Sequence, residues 1–500
     1  MAQSSAPGSR RVWVPAAVFG AFALLLLGRL VQLQILDHTK YAQAAHKELL
    51  GDDIIYAHRG SILDRNGNVL ATSVDTWDIY VNSRAWKDPL VAAKASATMA
   101  KILSADPSHI RNAVAQPGVA EKDRQVDVRV LRDVDFDLGK LLISNEVPGV
   151  VALPSSVRIN PEGDTAASVL GFIGGDKTGL AGIEAAYQDQ LQGKPGRAIY
   201  ERDTTGDPIP FGVHITDEPQ PGTDLVLTLD RYLQRMAERA LDQAIKEHRA
   251  TGGAIIMMDP NNGEILALAT SPGLKYSTLD LSDAKQLELL RNRAVTDLYE
   301  PGSVMKVVTA SSAIDKGVVT PDTSYYDSGV AKIYDTELRN WDNRSYGNQT
   351  MTGVLQNSIN TGAVFMMQKL GTDTFLKYID AFGFGKPSGI DLTGEASGIF
   401  RKKDDPEWTP VDPATQAFGQ SISVTPIQMI TAIAASINGG ELLRPHLVRA
   451  TVDGQGVRHE IGKEVLGHPI TATTSATMRG MLFQVVEPPE LGHPAQAPCM

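Results

Sequence analysis

An uncharged apolar run over residues 12–28 restricts the fold of this chain more than any other feature. Its length reaches the lower limit for a helix that spans a bilayer, and the side chain of Arg29 can extend to the headgroups while apolar sequence continues behind it. Arg10 and Arg11 precede the run, so we expect a cytoplasmic N-terminus and the residues from about Asp37 onward outside. No small-residue cleavage site follows closely, which favours an uncleaved signal anchor over a removed signal peptide.

The remaining sequence has the composition of a globular protein. Of the 500 residues, 42% are hydrophobic and 21% are charged, which is enough for about two to four domains with buried cores. The net charge of −11 argues against nucleic acid as a partner, because phosphate binding requires clustered Lys and Arg. The single Cys499 excludes an internal disulfide, and no spacing typical of metal ligands is present. We therefore predict no metal and no cofactor.

The Pro-rich segment TDEPQPGTD, residues 216–224, is the best domain boundary. On the N-terminal side, strands and short amphipathic helices alternate, and Asn66–Gly67 within HRGSILDRNGNVLATS predicts a hairpin with a type I′ turn. We predict four parts: a cytoplasmic tail (1–11), a transmembrane anchor with its connector (12–36), a mixed α+β module (37–221) and a C-terminal domain (222–500).

The C-terminal domain begins with alternating strand and helix patterns. The order is a strand (LVLTLD), a helix (RYLQRMAERALDQAIKEH) and two strands (GGAIIMMDP and GEILALATSP) joined through an Asn-Asn-Gly turn. This order predicts an α/β (α+β) fold with helices packed on a mainly antiparallel sheet. We expect the later helix that begins near Ser303 to be buried against that sheet.

The segment PGSVMK, residues 301–306, carries the clearest chemical pattern. Ser303 and Lys306 are three residues apart, so on a helix they share a face and the amine lies beside the hydroxyl. The helix predicted from there to Gly317 is apolar almost all round, and a lysine in such a helix requires a reason. At its N-terminus, free backbone N–H groups and the helix dipole favour a developing oxyanion. Ser303 and Lys306 are therefore candidate catalytic residues.

Other occurrences of the same patterns have structural explanations. Ser282 and Lys285 also fit S-x-x-K, but they open a polar amphipathic run, and we interpret Ser282 as the N-cap of a surface helix. Ser358 and Asn360 lie in NSINTGAV, a polar break between helical patterns, where they can project into a cleft or simply form a turn. A second Ser-Ile-Asn at residues 436–438 precedes two glycines and is typical of a helix end.

The spacing of these patterns resembles a known family. PGSVMK followed by Ser-Ile-Asn 55 positions later (358 − 303) resembles the S-x-x-K and S-x-N motifs of the penicillin-binding proteins. The membrane anchor and four further segments resemble class B members in the same order: RGSILDRNGNVLA, GLAGIEAAYQDQLQGKPG, GAIIMMDPNNGEILALATSP and FGQSISVTPIQM. The resemblance runs from about residue 12 to the end, and it is closer to the division-type, septal enzymes than to the elongation type.

The resemblance implies a penicillin-binding transpeptidase domain preceded by a pedestal or dimerisation-like module. Such a protein is a serine D,D-transpeptidase that cross-links peptidoglycan stem peptides ending in D-Ala-D-Ala and is acylated by β-lactams. The resemblance assigns the nucleophile to Ser303, the general base to Lys306, a proton relay to Ser358 and the binding of the peptide amide to Asn360. The implied partners are the membrane and a glycan polymerase of the division or elongation machinery.

Three alternatives stay open at this point. A D,D-carboxypeptidase would use the same residues but transfer the acyl group to water. A non-catalytic membrane scaffold for a glycan polymerase would need none of this chemistry. A β-lactam sensor would use the same serine as a receptor, although such sensors usually carry further membrane spans and a signalling module.

The third motif of the family, Lys-Thr/Ser-Gly, is expected after SATMRGMLFQVVEPPELG, and the sequence reaches Met500 without it. A Lys-Thr-Gly does occur at residues 177–179, but it precedes Ser303 by 126 positions (303 − 177) and we interpret it as a turn. The resemblance assigns to the strand with the third motif one oxyanion donor and a cation for the substrate carboxylate. A chain that ends at Met500 is therefore expected to acylate slowly or not at all.

Overall fold

The computed structural model describes residues 9–41, 50–55, 57–120, 124–201, 215–283, 286 and 288–486. The chain forms two compact units, and each is built from separated segments. Unit 1 comprises Met1–Ala57, Asp75–Val157 and Lys194–Gln220, and unit 2 comprises His58–Val74, Arg158–Gly193 and Pro221–Met500. Unit 2 thus includes two segments that precede the boundary predicted at residue 221.

The N-terminal apolar sequence forms one long helix. It extends from Ser9 to Val31 and continues as a π-helical turn over Gln32–Leu36. The stretch Pro15–Leu36 is long and apolar enough to cross a membrane, and it is the one such helix within the described residues. The side chains of residues 15–31 are all exposed, as expected for a helix surrounded by lipid.

Besides the long N-terminal helix, the described part of unit 1 contains two sheets and three helices. One sheet consists of Leu50–Ile55, Gly196–Glu201 and Ile215–Asp217. In the other, the second part of Val69–Asn82 pairs with Asp127–Asp135 and with Val150–Ile159. The helices are Pro89–Leu103, Pro107–Ala115 and Phe136–Ser144. Each helix begins after an aspartate whose carboxylate accepts a backbone N–H of the first turn, which fixes where the helix starts.

The strands of unit 2 are mainly antiparallel, as predicted. Asp224–Leu227 pairs antiparallel with Val448–Val452 and parallel with Ile62–Leu63, and Arg458–Glu460 extends the sheet on one side. Gly253–Met258 and Ile265–Ser271 form a separate hairpin, covered by the helix Arg231–His248. The predicted order of strand, helix and two strands is therefore confirmed, with the helix at the predicted residues.

The hairpin predicted around Asn66–Gly67 is present, but the prediction of a type I′ turn is wrong. Ile62 pairs with Ala71, and the turn is closed by the Gly67 N–H, which donates to the Asp64 carbonyl (3.0 Å). A type I′ turn requires positive φ at both central residues, whereas only Gly67 (φ 84°) has it and Asn66 does not. The buried Asp64 carboxylate accepts the Asn66 N–H (2.9 Å), and this side-chain contact stabilises the observed turn instead.

The rest of unit 2 is a cluster of helices with short strands between them. The longer helices are Met351–Gln356, Asn360–Leu370, Thr372–Ala381, Pro426–Ile437 and Ala472–Val486. The shorter helical segments are Ala167–Leu170, Gly182–Ala186, Gln188–Gln192, Tyr276–Thr278, Glu288–Leu290, Arg293–Thr296, Gly302–Val304 and Asp412–Gln416. The strands are Ser324–Asp327, Val330–Ile333, Thr336–Arg339, Gly347–Thr350, Ile399–Phe400, Ile422–Ser423, Leu442–Leu443 and Val465–Gly467.

The helix that contains Lys306, Met305–Asp315, is called the Lys306 helix below. Its main packing partners are the helices Asn360–Leu370, Pro426–Ile437 and Ala472–Val486. The expectation that it lies against the sheet is therefore wrong. Most of its residues are buried, including polar ones such as Thr309 and Ser312, and the elements that cover them are mainly helices. The separate hairpin is covered by Arg231–His248 and Pro426–Ile437 instead.

Two patterns interpreted as structural have that role. The second Ser-Ile-Asn closes the helix Pro426–Ile437, and Gly439 (φ 102°) follows in a conformation that ends helices. The Lys-Thr-Gly at residues 177–179 is a turn in which the Lys177 N–H donates to the Gly174 carbonyl (3.0 Å). Both predictions are confirmed.

Candidate active site

Ser303 lies in a 3₁₀ turn, Gly302–Val304, that leads directly into the Lys306 helix. Gly302 has φ +57°, a conformation that a residue with a side chain rarely adopts, and this places Ser303 at the start of the helix. The Ser303 side chain is exposed, whereas Lys306 is only 1% exposed. The hydroxyl therefore faces the solvent and the amine lies beneath it.

The turn before Ser303 is fixed by a backbone contact with Gly419. The Gly302 N–H donates to the Gly419 carbonyl (3.0 Å), and a Cβ on Gly419 would lie 2.2 Å from the Gly302 carbonyl oxygen. Nearby, Tyr299 and Val424 exchange two backbone hydrogen bonds of 3.0 and 2.9 Å. The strip 419–424 thus sets the position of Ser303. The strip lies within the segment FGQSISVTPIQM, to which the sequence analysis assigned no role in the site. In the sequence, only Gly419 itself indicates that another backbone segment approaches closely here.

The side chains of Ser303, Lys306 and Ser358 meet in one hydrogen-bonded group. Lys306 Nζ lies 3.0 Å from Ser303 Oγ and 3.0 Å from Ser358 Oγ, and it donates to the Ser358 carbonyl at 2.7 Å. Ser358 Oγ lies 2.8 Å from Ser303 Oγ. The two separate patterns in the sequence therefore supply three adjoining groups, two hydroxyls and one amine.

Ser358 occupies the link between the helices Met351–Gln356 and Asn360–Leu370, where the sequence predicts a break. Its φ of +52° is left-handed, which costs of the order of 1–3 kcal/mol for a residue other than glycine. This conformation directs both the carbonyl and the hydroxyl of Ser358 toward Lys306. Backbone strain is thus present at the point where the polar group is assembled.

Burial lowers the pKa of Lys306 from 10.5 to about 7. Within the described residues, no carboxylate pairs with this amine to restore its charge. At a pH near 7, about half of the Lys306 amines are consequently neutral. A neutral amine within hydrogen-bond distance of a serine hydroxyl can accept its proton, which is the requirement for a general base.

Asn360 is held apart from this group. It begins the helix Asn360–Leu370, and its side-chain amide donates to the Arg339 carbonyl (3.0 Å) at the end of the strand Thr336–Arg339. In the part of the chain that the structure describes, no hydrogen bond joins its side chain to Ser303, Lys306 or Ser358. The half-buried Asn360 therefore borders the site on the side of that strand.

Ser282 lies in a different environment from Ser303. It is exposed in a turn, where its hydroxyl donates to the Asp280 carboxylate (2.7 Å) and its N–H does the same (2.9 Å). Lys285, the other member of this second S-x-x-K, lies outside the described residues, as do residues 284 and 287, so the helix predicted to start at Ser282 is described only in part. Cys499 and the rest of residues 487–500 also lie outside them, so the expectation about the third motif stays a prediction.

Two family models match the chain. The model described as "Penicillin-binding Protein dimerisation domain" matches residues 54–227, and that described as "Penicillin binding protein transpeptidase domain" matches residues 253–497. Stage V sporulation protein D of Bacillus subtilis is 33% identical over 87% of this chain and 66% of its own length. The chain thus spans just under two thirds of that relative. Peptidoglycan D,D-transpeptidase FtsI of Escherichia coli is 30% identical over 87% of this chain and 72% of its own length.

Solved structures have the same fold. Penicillin Binding Protein 2X from Streptococcus thermophilus aligns with a TM-score of 0.72 and 26% identity, covering 86% of this chain and 66% of its own. Penicillin binding protein 3 from Mycobacterium tuberculosis, complexed with ampicillin, aligns with a TM-score of 0.64 and 25% identity, covering 88% of this chain and 76% of its own. The chain belongs to the class B penicillin-binding proteins.

Proposed function

We propose that this chain is a serine-type D,D-transpeptidase that cross-links peptidoglycan stem peptides through an acyl-enzyme on Ser303. The observation that carries the proposal is the contact of Ser303 Oγ with both the buried amine of Lys306 and the hydroxyl of Ser358. Membership of the family and the name of the Escherichia coli relative support the same reaction. β-Lactams, as mimics of the D-Ala-D-Ala end, acylate the same serine.

In the first half of the reaction, Ser303 Oγ attacks the carbonyl carbon of the penultimate D-Ala. The neutral Lys306 amine, 3.0 Å away, accepts the hydroxyl proton. The backbone N–H of Ser303, at the start of the helix, donates to the developing oxyanion. When the carbon–nitrogen bond breaks, the proton passes through Ser358 Oγ to the leaving D-Ala amine, because that hydroxyl contacts both Lys306 and Ser303. The product is an ester on Ser303.

In the second half, an amine from a neighbouring stem peptide attacks the ester. As the new amide bond forms, the attacking amine loses a proton, which passes through Ser358 Oγ to the neutral Lys306 amine. The ester bond then breaks, and Lys306 gives this proton to Ser303 Oγ. Asn360 holds the amide of the bound peptide from the side of the strand that carries Arg339. With a β-lactam, the leaving nitrogen remains tethered to the acyl group, so the amine cannot enter and the ester persists.

The reaction takes place outside the cytoplasm. The helix Pro15–Leu36 anchors the chain as a single span, and Arg10 and Arg11 keep its N-terminus in the cytoplasm. At the outer face of the membrane, the protein takes part in division-type synthesis of the cell wall together with a membrane glycan polymerase. Protease added to intact cells stripped of their wall should remove the large extracytoplasmic part, and full protection of that part would contradict this topology.

The test of the proposal is covalent labelling of the full-length protein in detergent with a fluorescent penicillin. Mass spectrometry should place the adduct on Ser303, and Ser303→Ala should abolish it. Ser282→Ala is the matched control and should label like the wild type, because Ser282 lies in an exposed turn. An adduct on Ser282, or one that persists in Ser303→Ala, would contradict the assignment. No label on a protein that includes a Lys-Thr/Ser-Gly motif after residue 500 would favour a scaffold.

A second measurement separates cross-linking from hydrolysis. The protein is incubated with a stem peptide and an acceptor peptide that carries a free amine, and the products are separated by mass. A cross-linked dimer supports the transpeptidase. Release of D-Ala without any dimer would show a D,D-carboxypeptidase instead.

A further inference from the structure

We propose that Asp327 is a positioning residue for the acylation step, because it ties the start of the Asn360 helix to the strand end that holds the Asn360 side chain. Asp327 is not among the residues that the sequence analysis singled out. The proposal rests on the proposed acylation of Ser303. It concerns the geometry of Ser358, which lies just before the start of that helix, and of Asn360, its first residue.

Asp327 ends the strand Ser324–Asp327 and is fully buried. One carboxylate oxygen accepts the Thr361 hydroxyl (2.6 Å) and the Gly329 N–H (2.9 Å). The other accepts the side-chain amide of Asn340 (2.8 Å) and the Tyr346 N–H (2.8 Å). These four hydrogen bonds hold the surrounding residues firmly, because hydrogen bonds to an ionised acceptor are stronger than those between neutral groups.

Two of these partners are neighbours of residues in the site. Thr361 directly follows Asn360, and Asn340 directly follows Arg339, whose carbonyl accepts the Asn360 amide. Asn340 and Thr361 also contact each other, because the Thr361 N–H donates to the Asn340 side-chain oxygen (3.2 Å). Asp327 is thus bonded to both sides of the contact between Asn360 and Arg339.

A buried carboxylate is costly unless its hydrogen bonds offset the lost hydration. Here burial alone would raise the pKa of Asp327, but the hydrogen bonds from Thr361, Gly329, Tyr346 and Asn340 hold that pKa below its usual value. Asp327 therefore stays ionised and keeps all four donors in place. The group is bonded to Thr361, next to Asn360 and three residues after Ser358. At such a position a shift of about 1 Å is enough to lower a reaction rate about 10²-fold.

The test compares Asp327→Asn with Asp315→Asn in the full-length protein in detergent. Asparagine keeps the shape of Asp327, but its NH₂ group can no longer accept from two of the four donors. Asp315 is a matched control, because it also accepts three hydrogen bonds, from Tyr378, Thr471 and Thr474. It lies at the opposite end of the Lys306 helix, nine residues from Lys306 (315 − 306), or about 14 Å along the axis.

The measurement is a time course of labelling by the fluorescent penicillin, well below the melting temperature. Its amplitude gives the fraction of folded protein, and its rate constant reports on the folded molecules alone. We expect Asp327→Asn to lower the rate constant by roughly tenfold or more. Asp315→Asn should keep it within about twofold even if its amplitude falls. A purely structural role of Asp327 would lower the amplitude and leave the rate constant unchanged.

A second pair of variants covers the case in which Asp327→Asn does not fold. Thr361→Val removes the hydroxyl that donates to Asp327 while keeping the shape of the side chain, and Thr361→Ser restores that hydroxyl. We expect the valine variant to acylate several-fold more slowly than the serine variant. Equal rate constants for this pair would overturn the proposal, as would a wild-type rate constant in folded Asp327→Asn. If the wild type itself is not labelled on Ser303, both the proposed function and this proposal are overturned. If the wild type is labelled and only the variants fail to differ, the role of Asp327 alone is overturned.

Discussion

Two groups of buried cations in the described part of unit 2 have different surroundings. Lys306 is 1% exposed, and no carboxylate pairs with it within the described residues. The side chains of Arg59 and Arg158 are 5% and 6% exposed, and they share the carboxylate of Glu184, with Nε–Oε distances of 2.6 and 2.8 Å. One site holds a lone amine, and the other holds two guanidinium groups around one carboxylate.

The difference decides which cation can do chemistry. Without a counter-charge, burial lowers the pKa of Lys306 to about 7, so the amine loses its proton readily. Burial also lowers the pKa of Arg158, but Glu184 opposes this effect, and a guanidinium remains protonated in proteins. Arg158 also donates to the Gly60 carbonyl (2.8 Å), so this cluster joins His58–Val74 to Arg158–Gly193. The lone cation suits catalysis, and the paired cations stabilise the fold.

The largest effect is expected for Lys306→Met, which keeps the length of the side chain and removes the amine. The rate of labelling by a fluorescent penicillin should fall by about 10²–10⁴-fold, the usual contribution of a general base. The melting temperature at neutral pH should not fall, because methionine is buried without the cost of removing an amine from water. Lys316→Met, at the exposed end of the same helix, is the control and should label normally. A Lys306→Met protein that labels within tenfold of the wild type would contradict the role of Lys306 as the general base.

The opposite result is expected for Glu184→Gln. Two buried guanidinium groups would lose their shared carboxylate, which should lower the free energy of unfolding by about 3–5 kcal/mol. The labelling rate constant of the folded molecules should stay the same. Calorimetry gives the first quantity and the labelling time course gives the second. Glu441→Gln, in the exposed pair with Lys463, should leave the melting temperature unchanged. A Glu184→Gln protein as stable as the wild type would show that this cluster does not need its charge.

The smallest expected change in the labelling rate is its dependence on pH, which can be measured without any substitution. Lys306 must be neutral to accept a proton, so the labelling rate should rise about tenfold between about pH 6 and about pH 8. Between about pH 7 and 10.5 the unfolded lysine binds a proton that the folded one does not. The free energy of unfolding should therefore rise with pH across this window. Below about pH 7 both states bind the proton, so this contribution to the slope should be absent. Lys306→Met should lack this slope, and a wild type without it would contradict the lowered pKa.

Short-range patterns in the sequence predicted much of this architecture. The approach of Ser303 and Lys306 follows from their spacing on a helix, and the helix Arg231–His248 has the predicted bounds. The spacing of S-x-x-K and Ser-Ile-Asn indicated the family but not the contact between them. Whether Ser358 belonged to a turn or to a cleft depended on where Lys306 would meet it, and that contact joins residues 52 positions apart.

Contacts between distant backbone segments could not be predicted. The approach of Gly302 to Gly419 involves no side chain, so no residue type other than glycine signals it. Asp327 ends a strand, where aspartate is an ordinary residue, and only the fold places Thr361 beside it. The wrong prediction for the Lys306 helix has a similar origin, since its all-round apolar character shows that it is buried but not which elements cover it.

The contact between Gly302 and Gly419 also has a consequence for the order of events during synthesis. Gly419 is made 116 residues after Ser303 (419 − 303), so a growing chain contains Ser303 and Lys306 long before it contains the strip 419–424 that fixes the turn. Contacts of such long range form late, because a long loop must close first. We expect the unfinished chain to be insensitive to penicillin, and Ser303 to become a target only once the strip 419–424 has been made and has folded onto the turn.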